Sequence, residues 1–269
     1  MNQVYIMGDV HQIFKPIRAL YQVLNSMNLH PDKTDTLILL GDSGANFFGD
    51  FHDRNFKEKL GRYGFTYFII RGNHDMRAED CAAALPHEWH TETYFGNTVR
   101  VENKYPYIKY ALDQVAVYQI NGQKTLVIPG AYSVDKYYRI ARNIGWFPNE
   151  QLSDEERSVG FRIIKEDPQA YLVLSHTCPK IYQPTDLFLG SIDQSLVDDT
   201  MERWLGNIEY QLEYNLWLFG HYHQLRVYPE YQGKKIAMLS NDAVLHLNAF
   251  QQNEDVYDAL IKIGEIRED

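Results

Sequence analysis

The chain has 269 residues, 45% hydrophobic and 23% charged, with a formal net charge of -10. This is an ordinary globular composition, and its acidic balance argues against broad, non-specific nucleic-acid binding, which needs a basic face. Two cysteines, Cys81 and Cys178, with no Cys-x-x-Cys pair, exclude a thiolate zinc cluster.

The N-terminus runs straight into the strand-like Gln3 to Met7, without the basic segment, apolar run and cleavage site of a signal peptide. No apolar run approaches the ~18 residues of a membrane span. The expectation is a cytoplasmic protein with free thiols and a single domain over 1–269. Val4 to Met7 reads as a buried strand. Ile17, Leu20, Tyr21 and Leu24 follow at helical spacing behind Pro16. Leu37 to Leu40 is a second strand, Phe56 and Leu60 lie in a helix, and Tyr67 to Ile70 is a third strand. This β-α-β-α-β order argues for a layered α/β arrangement. Val115 to Ile120 and Lys124 to Ile128, joined by Asn121-Gly122, carry the signature of a hairpin with a tight turn. Ser153 and Glu156 form a capping box that opens a helix, stopped by Pro168. Tyr171 to Leu174 is a strand, a helix is expected over about 195–210, and Leu216 to Phe219 is a strand. Further strands are expected near Val227 and over Ile236 to Leu239.

Polar clusters follow the strands: Gly8-Asp9-Val10-His11, Gly41-Asp42, Gly72-Asn73-His74-Asp75, Ser175-His176 and Gly220-His221-Tyr222-His223. In layered α/β folds, ligands bind beyond the carboxyl ends of the strands, so the five clusters can meet at one sheet edge. Asp offers hard oxygen, Asn a carbonyl oxygen and His a borderline nitrogen, a set suited to metal. In extended backbone, Asp9 and His11 would point the same way, as would His221 and His223. The glycine before each of four clusters permits a sharp turn and close backbone approach.

With these blocks in this order, the chain resembles the calcineurin-like metallophosphoesterase family. The resemblance implies a four-layer α-β-β-α sandwich, an α/β fold of two mixed sheets flanked by helices. It also implies two divalent metal ions, Mn²⁺ first, with Fe or Zn as alternatives. Asp9, His11 and His223 would hold one ion, Asn73, His176 and His221 the other, and Asp42 would bridge them. His74 would act on the substrate as a catalytic group, and Asp75 would orient it. The implied reaction is hydrolysis of a phosphomonoester or phosphodiester by a metal-activated hydroxide, on a small phosphorylated substrate such as a nucleotide. Two such ions would leave the site locally positive despite the acidic chain, because Asp9 and Asp42 cancel only part of their charge.

One block departs from the protein serine/threonine phosphatases of the family. Where they continue Gly-Asp-x-x-Asp-Arg-Gly, this chain reads Gly41-Asp42-Ser43-Gly44-Ala45-Asn46-Phe47, without the second Asp and the Arg. That argues against a protein phosphatase. Arg71 matches their third block but also suits a structural ion pair. The stretch from Gly130 to Arg142 is expected near the metal edge, with Arg139 and Arg142 as candidate phosphate contacts by bidentate hydrogen bonding. The rival readings are a protein-binding scaffold on the same fold and a metal-dependent nuclease.

Overall fold

The computed structural model describes residues 2–263. Short apolar runs with alternating contacts make two mixed sheets. The first orders its strands as Leu260–Lys262, Ala243–His246, Val4–Met7, Thr36–Leu39, Thr66–Ile69, Ile108–Tyr110, Asn97–Glu102 and Trp89–Tyr94. The second orders Arg226–Val227, Lys235–Met238, Glu213–Phe219, Gln169–Ser175, Gln123–Ile128 and Ala116–Ile120. Each has a parallel centre of four strands and antiparallel margins.

Strand periodicity creates the layers. Val4, Ile6, Ile38, Leu40 and Phe68 face one way and pack against Leu172, Leu174, Leu216 and Leu218 of the other sheet. The alternate residues, Tyr5, Met7, Leu37, Leu39 and Tyr67, face the helices Lys15–Ser26 and Phe51–Leu60 through Ile17, Leu20, Leu24, Phe56 and Leu60. On the second sheet, Val173, Trp217 and Phe219 meet Ile164 of the helix Asp154–Glu166 and Met201, Leu205 and Ile208 of the helix Thr200–Gln211. Because these central strands are buried on both faces, they read in sequence as continuous apolar runs. The result is the expected α-β-β-α sandwich with two mixed sheets.

Local signals hold where expected. Pro16 occupies the first turn of its helix, where its missing N–H costs nothing. Ser153 and Glu156 exchange both bonds of a capping box. Asn121 and Gly122 both take positive φ, 51° and 75°, in the hairpin turn. The helix expected from about 195 begins at Thr200, with a 3-10 turn over Gln194–Leu196 before it. The strands over Trp89–Tyr94 and Asn97–Glu102 have no counterpart in the sequence reading. The outer one, with His90, Thr91, Glu92 and Thr93, is an edge strand with no long apolar run, and Phe95-Gly96 turns it back. Both cysteines are free. Among the described residues, no helix is long and apolar enough to cross a membrane.

Candidate metal centre

Five strands adjacent in their sheets, Val4–Met7, Thr36–Leu39 and Thr66–Ile69 in one and Gln169–Ser175 and Glu213–Phe219 in the other, end at one edge of the sandwich. The clusters that follow them meet there. Asp9, His11 and His223 bring one donor atom each to within 4.8 Å of one another, and Asp42, His176 and His221 do the same. His223 Nε2 lies 3.3 Å from Asp9 Oδ2, and His11 Nε2 lies 3.0 Å from His223 Nε2. In the second group, His176 Nε2 lies 3.5 Å from Asp42 Oδ1 and 2.8 Å from Asn73 Oδ1. Asp42 stands between the groups: its Oδ2 is 3.9 Å from His11 Nε2 and 4.0 Å from His74 Nε2. All seven expected ligand residues are therefore brought together.

The backbone that does this is not extended. His11, Asp42, His221 and His223 all have positive φ, at 44°, 46°, 68° and 56°. Asp9 and His11 thus share a centre because the chain curls in a left-handed turn after the strand. The same holds for His221 and His223, in place of the extended geometry expected from their spacing. A non-glycine residue in such a conformation costs on the order of 1–3 kcal/mol and persists where the surroundings over-determine it. Two glycines show how tight the approach is. A Cβ on Gly41, whose φ is +99°, would sit 2.1 Å from His176 Nδ1, and one on Gly72 would sit 2.0 Å from Asp42 Oδ1.

Hydrogen bonds leave the donor atoms free to face the centre. His176 Nδ1 lies 2.7 Å from the Leu40 carbonyl, which sets the ring so that Nε2 points toward Asn73 Oδ1 and Asp42 Oδ1. Asp9 Oδ1 accepts from the His221 amide at 2.8 Å, and Asp42 Oδ1 from the His74 amide at 2.7 Å. Asp9 Oδ2 is buried and makes no hydrogen bond of good geometry. Electrostatics points the same way. Burial opposes a charge on His176, yet the Asp42 carboxylate overrides it and draws the imidazole up to about 9. His221 is pushed down to about 3 by burial and then by His176. Two buried carboxylates with one orphaned oxygen and converging imidazoles call for cations, and the oxygen and nitrogen donor set fits divalent metal.

Asn73 is set by two residues that carried no motif. Its Nδ2 donates to Ser133 Oγ at 2.9 Å, and Ser133 Oγ donates to Glu150 Oε2 at 2.6 Å. The amide oxygen of Asn73 is thereby aimed at the centre. Ser133 lies in the stretch expected near the metal edge; Glu150 has no sequence signal, because only the fold brings it under Ser133.

Around His74 the structure separates the candidates. Arg139 Nη2 lies 3.3 Å from His74 Nε2 while its Nε donates to Asp135 Oδ2 at 2.8 Å. Arg142, three residues on in the helix Lys136–Arg142, is exposed and covers the Tyr138 ring at 5.6 Å, away from the centre. Asp75 differs from expectation. Its buried carboxylate accepts from the amides of Gly44 at 2.9 Å and Gly72 at 3.1 Å and from Ser43, tying two ligand loops together instead of bonding the His74 ring. Burial and the nearby Asp42 charge push it up to about 6. Arg71 is structural: its Nε is 3.2 Å from Asp113 Oδ1 and its Nη1 donates to the Glu150 carbonyl at 2.6 Å.

A double-sheet α/β sandwich with paired donor groups at the strand ends defines a candidate metallohydrolase. The chain belongs to the calcineurin-like phosphoesterase family, whose sequence profile matches residues 3–225. No curated protein sequence matches it. Among solved structures it is similar to TT1561 of Thermus thermophilus, with TM-score 0.51 and 10% identity over 98% of this chain and 99% of that one. It also resembles a phosphopantetheinyl hydrolase from Mycobacterium tuberculosis, with TM-score 0.48 and 14% identity over 98% and 96% of the two chains. A dimetal phosphatase from Danio rerio gives TM-score 0.47 and 9% identity over 91% and 95%. At 10% identity the likeness to TT1561 speaks to the fold alone.

Proposed function

We propose that the protein hydrolyses a phosphomonoester or phosphodiester at a centre of two divalent ions, with Mn²⁺ the first choice. The observation that carries this reading is the pair of neighbouring three-residue donor groups, Asp9, His11 and His223 beside Asp42, His176 and His221, with Asp42 Oδ2 3.9 Å from His11 Nε2 and Asp9 Oδ2 buried without a hydrogen bond of good geometry. In it, Asp9, His11 and His223 would hold one ion, Asn73, His176 and His221 the other, and Asp42 would serve both. Such ions, when bound, polarise phosphoryl oxygens and acidify a water at neutral pH. The remaining work falls to side chains. His74 faces Asp42 from the open side, with Nε2 near Arg139 Nη2 and, at 3.2 Å, Asn73 Nδ2. An anionic ester would compete for the Arg139 donor, leaving His74 Nε2 free to hold a proton for the leaving oxygen. Arg139 would add positive charge at the phosphoryl end.

Metal content and turnover on phosphate esters, measured together, test the reading. Asp42→Asn is expected to lose both metal and activity, since it removes the shared charge. His74→Asn is expected to keep its metal and lose roughly 10²–10⁴ in kcat, the usual worth of a general acid. Near-normal turnover by Asp42→Asn would sink the two-ion assignment. A protein that holds metal but turns over no ester would favour the scaffold reading, and efficient cutting of a labelled nucleic-acid strand the nuclease.

A further inference from the structure

A cavity of about 390 Å³ is lined by the candidate ligand-edge residues Asp42, Asn73, His74, His221 and His223. It is also walled by Leu187, Phe188, Leu189, Ile192 and Val197, all from the segment that joins His176 to the helix Thr200–Gln211. That segment has no strand and no α-helix, only 3-10 turns over Lys180–Tyr182, Thr185–Leu187 and Gln194–Leu196. Loops of such length within a compact fold are commonly functional. Its apolar side chains are spent on the cavity wall and not on the core: Leu189 is 61% exposed and Leu187 36%. Val134 also lines the cavity and is 42% exposed. Phe188 lies against Tyr222, ring centroids 6.5 Å apart and nearly parallel.

Charge narrows what can lie there. Lys180 is the only Lys or Arg lining the cavity among the described residues, and its Nζ is 3.0 Å from Asp199 Oδ2. Asp198, Asp199 and Glu202 line the same region. A second anionic group on a substrate would meet carboxylates with no unpaired cation to receive it, whereas an apolar group would cover exposed leucine and phenylalanine surface.

We infer that the substrate is a phosphate ester of an apolar, uncharged alcohol, alkyl or aryl, whose organic part lies along the Leu187–Val197 wall and which carries no second anionic group. This rests on the phosphoesterase reading for the position of the phosphoryl end. The test is a series of n-alkylphosphonates from methyl to octyl, titrated into Mn²⁺-supplemented protein by calorimetry. Every member has the same head group, so the slope with chain length reports the wall alone. Kd is expected to fall about two- to fourfold per added methylene until the cavity is filled, near the limit set by burying one CH₂. A phosphonate of the same length ending in a carboxylate is expected to bind at least tenfold more weakly than its methyl-ended counterpart. The double substitution Leu187→Ser, Leu189→Ser is expected to flatten the slope. A flat series, no binding of any member, or equal affinity for the carboxylate-ended compound would overturn the inference. Turnover of the matching alkyl phosphates is followed in parallel: a steep binding series without hydrolysis would leave the wall assignment standing and remove the hydrolase reading.

Discussion

Asn73 shows how a single candidate ligand depends on its neighbours. An amide can turn either its oxygen or its NH₂ toward a cation, and only the oxygen binds. The hydrogen bond from Nδ2 to Ser133 Oγ, itself held by Glu150, decides the matter. If the proposed centre holds, Ser133→Ala is therefore expected to weaken an ion at Asn73, His176 and His221 by about 10–100-fold, and to leave an ion at Asp9, His11 and His223 little changed. Metal titration that resolves the two sites checks this, and equal loss at both would point to a general loosening of the edge. Sequence alone placed the seven ligand types after their strands. It did not show Glu150, because nothing near that residue in the chain marks it as a partner of Ser133. It also misjudged Asp75, since a carboxylate beside His74 in sequence turns inward to the Ser43, Gly44 and Gly72 loops.

At the scale of elements, the ones that read clearly are those whose signals are local. The helix Asp154–Glu166 has its capping box, three acidic residues in its first turn, and Lys165 near its end, all favourable to the helix dipole. Ser153→Ala is expected to cost about 0.5–2 kcal/mol of stability, read by denaturant unfolding, with the activity of the folded protein unchanged. A negligible change would mean that Glu156 is held mainly by its ion pair with Arg77. The central strands were legible for a different reason: burial on both faces leaves unbroken apolar runs. The hairpin of Trp89–Tyr94 and Asn97–Glu102 was not, because its outer strand is mostly polar and half-exposed and its Phe95-Gly96 turn is not the Asn-Gly or Asp-Gly pair that marks a hairpin in sequence.

At the scale of the whole molecule, the helix Thr200–Gln211 packs on the second sheet and sends Glu202 under the metal edge. There Glu202 Oε1 accepts from Thr177 Oγ1 at 2.8 Å, next to the candidate ligand His176. Burial pushes this carboxyl up to about 6. The folded state then binds its proton more tightly than the unfolded chain, so stability falls as pH rises from about 4.5 to about 6, by on the order of 2 kcal/mol, and no further change comes from this group above that. Glu202→Gln keeps an acceptor for Thr177 and removes the titration. The variant's stability relative to the parent is expected to increase across that window, measured as thermal or denaturant midpoints at a series of pH values. A pH-independent difference would show that Glu202 is not carrying the burial penalty.

The sequence by itself determined the layered α/β class and which polar clusters follow the strands of the candidate site, because both depend on residue type and on short-range order: polar clusters behind apolar runs, with glycines where the backbone must come close. Tertiary structure alone decided how these pieces meet. It curls His11, Asp42, His221 and His223 into left-handed backbone, sets Glu150 behind Ser133, brings Arg139 but not Arg142 to His74, and lays the segment after His176 along the open side of the centre. The contact of Arg139 with His74 spans 65 residues, and the loops behind the five strands meet only because two sheets pack face to face, which no local pattern encodes.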